Sequence, residues 1–182
     1  IATAAGLNDL HINASGIYMS GLASSNFLID TIQVVAQGMY STLIAKFNFS
    51  GDALWAKLTG NLNIGTTGFR SAIDTIGNFY TIYTIQDSAI FEGNKFYATG
   101  ARDIVILKND SNGHYVWLRQ ADFSISPGSA VWGAQVVEVD KDENIYVTGN
   151  FGGNAHFGNN TITSTNPTNL FLAKYSPNGD CI

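Results

Sequence analysis

Apolar positions along this chain cluster in short runs bounded by Gly, Asn, Asp and Ser, and no stretch keeps the three-to-four spacing of an amphipathic helix. Residues 134–140 form a β-branched apolar run, residues 141–144 are rich in Asp and Asn, and residues 145–149 form a second run containing Ile145, Tyr146, Val147 and Thr148. Such residues suit a pleated strand and the acidic segment between them suits a tight turn, so the pair predicts an antiparallel hairpin. A longer polar connection then runs through Phe157 to Asn169, residues 170–175 form a third strand, Pro177-Asn178-Gly179 makes a tight turn, and the last residues begin a fourth. Runs such as 42–47 and 104–107 are apolar at consecutive positions, which predicts strands covered on both faces.

The same pattern occurs three times. Tyr18, Tyr80 and Tyr146 sit in matching runs 62 and then 66 residues apart, and Lys46, Lys108 and Lys174 follow with the same two steps. Behind each lysine come a turn and another strand: residues 50–57 match 112–119, with Trp55 and Trp117 in step. A sheet of four short strands with both faces apolar is not stable alone; it buries those faces by stacking on copies of itself, as the blades of a β-propeller do. The expected fold is all-β, a partial β-propeller of three tandem four-stranded antiparallel blades over residues 1–60, 61–122 and 123–182. The repeated tyrosines and tryptophans are then packing groups between blades. In the third copy the position of the tryptophan falls just past Ile182, so the expectation is a segment of a longer polypeptide.

Composition narrows the function. Nine Lys+Arg against fourteen Asp+Glu give a net charge of -5, which offers no field for nucleic acid or an anionic membrane surface. No apolar stretch approaches the ~18 residues of a membrane span. Cys181 is the single cysteine, so an internal disulfide framework and multi-cysteine zinc patterns are both excluded.

The hairpin from Val139-Asp140 to Gly149, the strand Asn169-Leu170-Phe171-Leu172-Ala173-Lys174-Tyr175, and the Asn-Gly turn leading to a Trp strand at 112–117 together resemble the bacterial seven-bladed β-propeller repeat (SBBP-type repeat). The second copy departs from that pattern with Tyr83 where the family has Gly. The resemblance implies a large secreted or cell-surface protein, of a kind common in Bacteroidota, that carries adhesion-type modules and has no shared catalytic activity.

Candidate chemistry is sparse. Asp140, Asp142 and Asn144 place oxygen side chains at alternate positions, as calcium loops begin, but the glycine at loop position six and the bidentate glutamate at twelve are missing. Asp and Asn are also ordinary hairpin-turn residues, and the matching turns at 13–15 and 74–77 do not keep the acidic pair, so the turn reading is preferred and no metal is assigned. His11, His114 and His156 share no ligand spacing. There is no Gly-x-Ser-x-Gly elbow and no phosphate-cradling loop, and Phe151-Gly152-Gly153-Asn154 is read as part of a connection. Asp9, Asp74 and Asp140 fall near the first strand of successive repeats, where a propeller hydrolase or lyase acting on polysaccharide would hold an acid and a base at its channel mouth. Three Asp-Ser/Thr-apolar triplets, at Thr31, Thr75 and Ser88, are similar to the short O-glycosylation signal of exported Bacteroidota proteins. The preferred expectation is a non-enzymatic structural or binding segment with no cofactor. Its partners are other blades or domains of the same polypeptide and envelope proteins or glycans, with no nucleic acid and no membrane insertion. The polysaccharide-acting enzyme is the alternative. The connection 22–40 holds Phe27, Leu28, Ile29, Ile32, Val34 and Val35, which predicts an extra hairpin or a segment packed on a neighbour.

Overall fold

A computed structural model describes residues 5–36, 40–62, 67–99, 102–124 and 133–182. The fold is all-β: among the described residues there are strands and turns but no helix. In the first repeat β1 (Ala5–Asn13) and β2 (Gly16–Ala23) form a hairpin, β3 (Phe27–Ile29) and β4 (Ile32–Val34) form a second small one, and β5 (Tyr40–Phe47) returns to β2 before β6 (Ala53–Leu62) closes the unit. The second repeat copies this order with β7 (Thr67–Ile73), β8 (Phe79–Ile85), a small hairpin of β9 (Ser88–Phe91) and β10 (Asn94–Tyr97), then β11 (Arg102–Asn109) and β12 (Tyr115–Ser124). The third contains β13 (Gly133–Val139), β14 (Ile145–Phe157) and β15 (Asn160–Tyr175), with an isolated bridge between Tyr175 and Cys181.

The inserted hairpins join the units. In the second repeat β9 pairs antiparallel with the end of β6, Phe91 opposite Gly60 and Ala89 opposite Leu62. In the third, the far half of β14 pairs in the same way with β12, Phe157 opposite Ala121 and Asn154 opposite Ser124. The counterpart in the first repeat, β3 with β4, folds onto its own unit: Ile29 and Val34 pack with Leu43 and Ala45. The apolar content of the 22–40 connection is thus spent on a hairpin, as expected, while residues 37–39 of that connection lie outside the described residues.

Two expectations are not met. The strands do not divide into separate four-stranded sheets, since β1, β2, β5, β6, β9 and β10 share one sheet and β7, β8, β11, β12, β13, β14 and β15 another. The Thr/Asn-rich stretch 154–169 is not a loop: β14 and β15 continue through it as one long hairpin, with Phe157 opposite Asn160. Phe151-Gly152-Gly153-Asn154 lies inside β14, where the register shifts between Phe151 and Gly153. The reason is in the faces. Ala155 and Phe157 are buried whereas Thr161, Ile162 and Thr163 are exposed, so the segment reads as polar although its β-branched residues favour a strand.

The core lies mostly between units. Tyr80, Ile82, Ile104, Ile106 and Trp117 of the second unit share one cluster with Ile145, Val147, Phe171 and Ala173 of the third. Tyr18 and Ile44 of the first unit share another with Phe79 of the second. Burial of this kind, worth roughly 25 cal/mol per Å² of apolar surface, makes each unit depend on its neighbour.

Candidate functional site

The residues that define the repeat meet at one end of each unit. In the turn between the first two strands, Asp74 Oδ1 accepts the backbone N–H groups of Ile76 (3.1 Å) and Asn78 (2.9 Å), while Oδ2 accepts the Asn78 amide (2.7 Å) and the Tyr80 hydroxyl (3.2 Å). Asp140 repeats the arrangement with Asp142 N–H, Asn144 N–H, the Asn144 amide and the Tyr146 hydroxyl. The first repeat has a shorter version in which Asn13 accepts from Ser15 N–H and Oγ, and Ser15 in turn bonds Tyr18. Asp and Asn hold such turns because their short side chains reach backbone donors two and four residues on.

The lysine of the third strand completes each station. Lys46, Lys108 and Lys174 place their ammonium groups 5.0, 5.0 and 5.4 Å from the ring centroids of Tyr18, Tyr80 and Tyr146, within cation–π range. Two anchors with one period in the sequence are therefore one stacked pair in the structure. Lys108 also lies 3.9 Å from Glu143 of the next unit and donates to the Pro177 carbonyl (3.4 Å).

Electrostatics follow from this bonding. The Asn144 amide bonded to Asp140 holds its carboxyl down at about 2, and the Asn144 and Asp142 backbone N–H groups and the Tyr146 hydroxyl act in the same sense. Burial pushes the Tyr80 hydroxyl well up, and the Asp74 charge beside it adds to the effect. Away from these turns, burial and the neighbouring Asp103 raise the Asp122 carboxyl. Asp103 itself is buried and accepts from Thr99 N–H (2.8 Å), the Gln120 amide (2.7 Å) and Phe123 N–H (3.2 Å).

Asp74 and Asp140 do come together, in a groove of about 270 Å³ that Asn13, Thr75 and Lys141 also line. Asp9 is not there; its carboxylate accepts the Ser71 N–H (2.8 Å) instead. The oxygens of Asp74 and Asp140 accept from protein donors, and the Asp140 carboxyl, held at about 2, is an anion at neutral pH that has no proton to give a leaving group. In the turn considered for calcium, the Asn144 amide N–H points at Asp140, and the Asp142 carboxylate pairs with Lys141 (2.8 Å). Among the described residues no group of three or more His, Cys, Asp or Glu side chains is placed to hold a metal ion.

The histidines stay apart: His11 bonds Ser71 Oγ, His114 bonds Asp110, and His156 bonds Thr161 Oγ1. Thr31 and Thr75 are exposed, each in a hairpin turn. Ser88 is 1% exposed in β9, so a sugar there would have to displace the packing of that strand. The sequence reading missed two groups. One is Asn78, which stands two residues before Tyr80 as the calcium candidate Asn144 stands before Tyr146; the other is the Asp103–Asp122 pair, set opposite each other across β11 and β12. Comparison of the chain with protein-family models and with curated proteins finds no match.

Proposed function

We propose that this chain is a segment of a β-propeller, a non-enzymatic scaffold within a large secreted or cell-surface bacterial protein, whose blades present loops to protein or glycan partners. The observation that carries this reading is a difference between copies. Ile44, Ile106 and Leu172 occupy one position of the repeat, as Thr42, Ile104 and Leu170 do another. Ile44 and Ile106 are 0% and 1% exposed, each beneath the following unit, whereas Leu172 is 72% exposed. Leu170 is 79% exposed where Thr42 and Ile104 are buried. The third unit thus carries the face that the first two cover, which supports a further blade as its neighbour. The commitment of Asp74 and Asp140 to their own turns supports a scaffold over an acid–base enzyme, and the resemblance to the seven-bladed repeat supports the exported, surface location.

Lengthening the chain past Ile182 with a second copy of residues 117–182 continues the repeat in phase and tests the reading. In a Cys181→Ser background, Leu172→Cys is expected to react freely with a thiol reagent in the 182-residue chain and to be protected in the lengthened one, as Ile106→Cys is in both. A Leu172→Cys thiol that stays reactive in the lengthened chain would overturn the propeller reading. Release of reducing ends from a polysaccharide panel, abolished by Asp74→Asn with Asp140→Asn, would overturn the non-enzymatic one.

A further inference from the structure

The two junctions between units close differently on their outer side. At the junction of the second and third units, Arg119 on β12 donates to the carbonyls of Gly179 (3.0 Å) and Asn178 (2.7 Å), and Trp117 Nε1 donates to that of Pro177 (3.1 Å). These bonds tie the last turn of the third unit to the outer strand of the second and leave a groove of about 180 Å³. At the junction of the first and second units the matching residues are Lys57 and Trp55. The Lys57 ammonium has no hydrogen-bond or ion-pair partner among the described residues, and Trp55 Nε1 is buried without an acceptor. The groove here is about 540 Å³, in the size range of ligand sites, and it is lined by Val34, Val35, Ala56, Lys57, Leu58 and Tyr115.

Its floor is an open strand edge. The outer side of β6 is paired by β9 only at Gly60–Leu62. Over Ala53–Leu58 the backbone N–H and C=O groups directed away from β5 meet no ladder strand among the described residues. Glu92 turns the chain away at the end of β9 with φ of 48° and leaves the edge uncovered beyond it. A run of alternating donors and acceptors at strand spacing is complementary to another extended peptide, and such a peptide would continue the ladder that β9 begins. Lys57 is half-buried whereas Glu92, also at the rim, is exposed, and His114 is already bonded to Asp110; Lys57 is therefore the charge least screened by solvent.

We propose that this groove is a binding site for an extended acidic peptide, which adds as a strand to the open edge of β6 and sets a carboxylate against Lys57. The exposed side chains of Val35 and Tyr115 would take its apolar positions. The site needs only β6 and its immediate neighbours, so it stands or falls separately from the propeller reading.

The test uses the intact chain and two fluorescein-labelled pools of degenerate octapeptides, with Val, Ile or Thr at alternate positions and either Glu or Lys at the others. Fluorescence anisotropy is expected to show the Glu pool binding about tenfold more tightly than the Lys pool, and Lys57→Glu is expected to reverse that preference. Hydrogen exchange should slow on binding at amides within Ala53–Leu58. Absence of binding by either pool, protection that falls elsewhere, or a Lys57→Glu variant that keeps the wild-type preference would each overturn the proposal.

Discussion

Replacing Gly77 with alanine isolates the contact between the first two units. Gly77 lies in the turn between β7 and β8 with φ of 90°, and its N–H donates to the Asp74 carbonyl (3.1 Å). A Cβ there would overlap the Tyr18 hydroxyl and stand 2.7 Å from Tyr18 Cζ. Tyr18 cannot swing aside at low cost: it is fully buried, bonded to Ser15, covered by the Lys46 ammonium and packed edge-on against Phe79 at 5.5 Å. The backbone conformation alone costs a non-glycine residue about 1–2 kcal/mol, and forcing Tyr18 out of place adds about 1–3 kcal/mol. Gly51 is the internal control, because its φ is 91° and nothing stands within 4 Å of its Cβ position. Gly51→Ala therefore carries the backbone cost only. Glu143 occupies the slot matching Gly77 at the next junction, with φ of 62°, so the topology itself admits a side chain and it is the placement of Tyr18 that forbids one. Urea unfolding followed by circular dichroism should give Gly77→Ala a midpoint lower than that of Gly51→Ala by about 1 M, with the same slope. Equal destabilisation of the two variants, within about 0.5 kcal/mol, would refute the claim that the Tyr18 contact couples the units.

Two further outcomes follow from burial and charge. Ile106→Ala is expected to cost about 3 kcal/mol, whereas Leu172→Ala at the matching position of the third unit changes stability by no more than about 0.5 kcal/mol; urea midpoints of the two variants check this. Asp122 holds its proton to higher pH in the folded chain than in the unfolded one, because of burial and the Asp103 charge. Its contribution is therefore fully present below the unfolded carboxyl value and is lost as pH rises through the raised folded value. The melting temperature of the wild-type chain minus that of Asp122→Asn should therefore fall between about pH 3 and about pH 7, because the opposite contribution of Asp140 is common to both chains and cancels; a difference constant with pH would refute it.

Repetition made part of this molecule legible. Tyr18, Tyr80 and Tyr146, and the lysines that follow them, stand out because each copy needs the same stacked pair, and a stacked pair needs fixed residue types at fixed spacing. The hairpin of β3 and β4 was legible because its apolar side chains have no place in a free loop. The long hairpin at 154–169 was not, since its outward face is polar and the strand shows only in β-branched residues that a Thr-rich loop would also contain. Asp74 and Asp140 looked alike as catalytic acids and as turn residues, and what separates the two roles is the direction of the Asn78 and Asn144 amides, which no spacing encodes.

The differences between copies are where the structure adds most. Lys57 and Arg119 are a conservative pair on paper, yet the Arg119 guanidinium binds two carbonyls of the neighbouring turn at once while the Lys57 ammonium binds none among the described residues, and the groove beside Arg119 is the smaller of the two. Ile106 and Leu172 differ even less in chemistry and most in surroundings, from 1% to 72% exposed. In a chain built of copies, residue type reports the position within a unit, and exposure reports the position of that unit in the stack. Binding surfaces are therefore to be sought where a copy keeps the residue type and lacks the neighbour, as on the face of Leu170 and Leu172, or keeps the neighbour and changes the residue, as at Lys57.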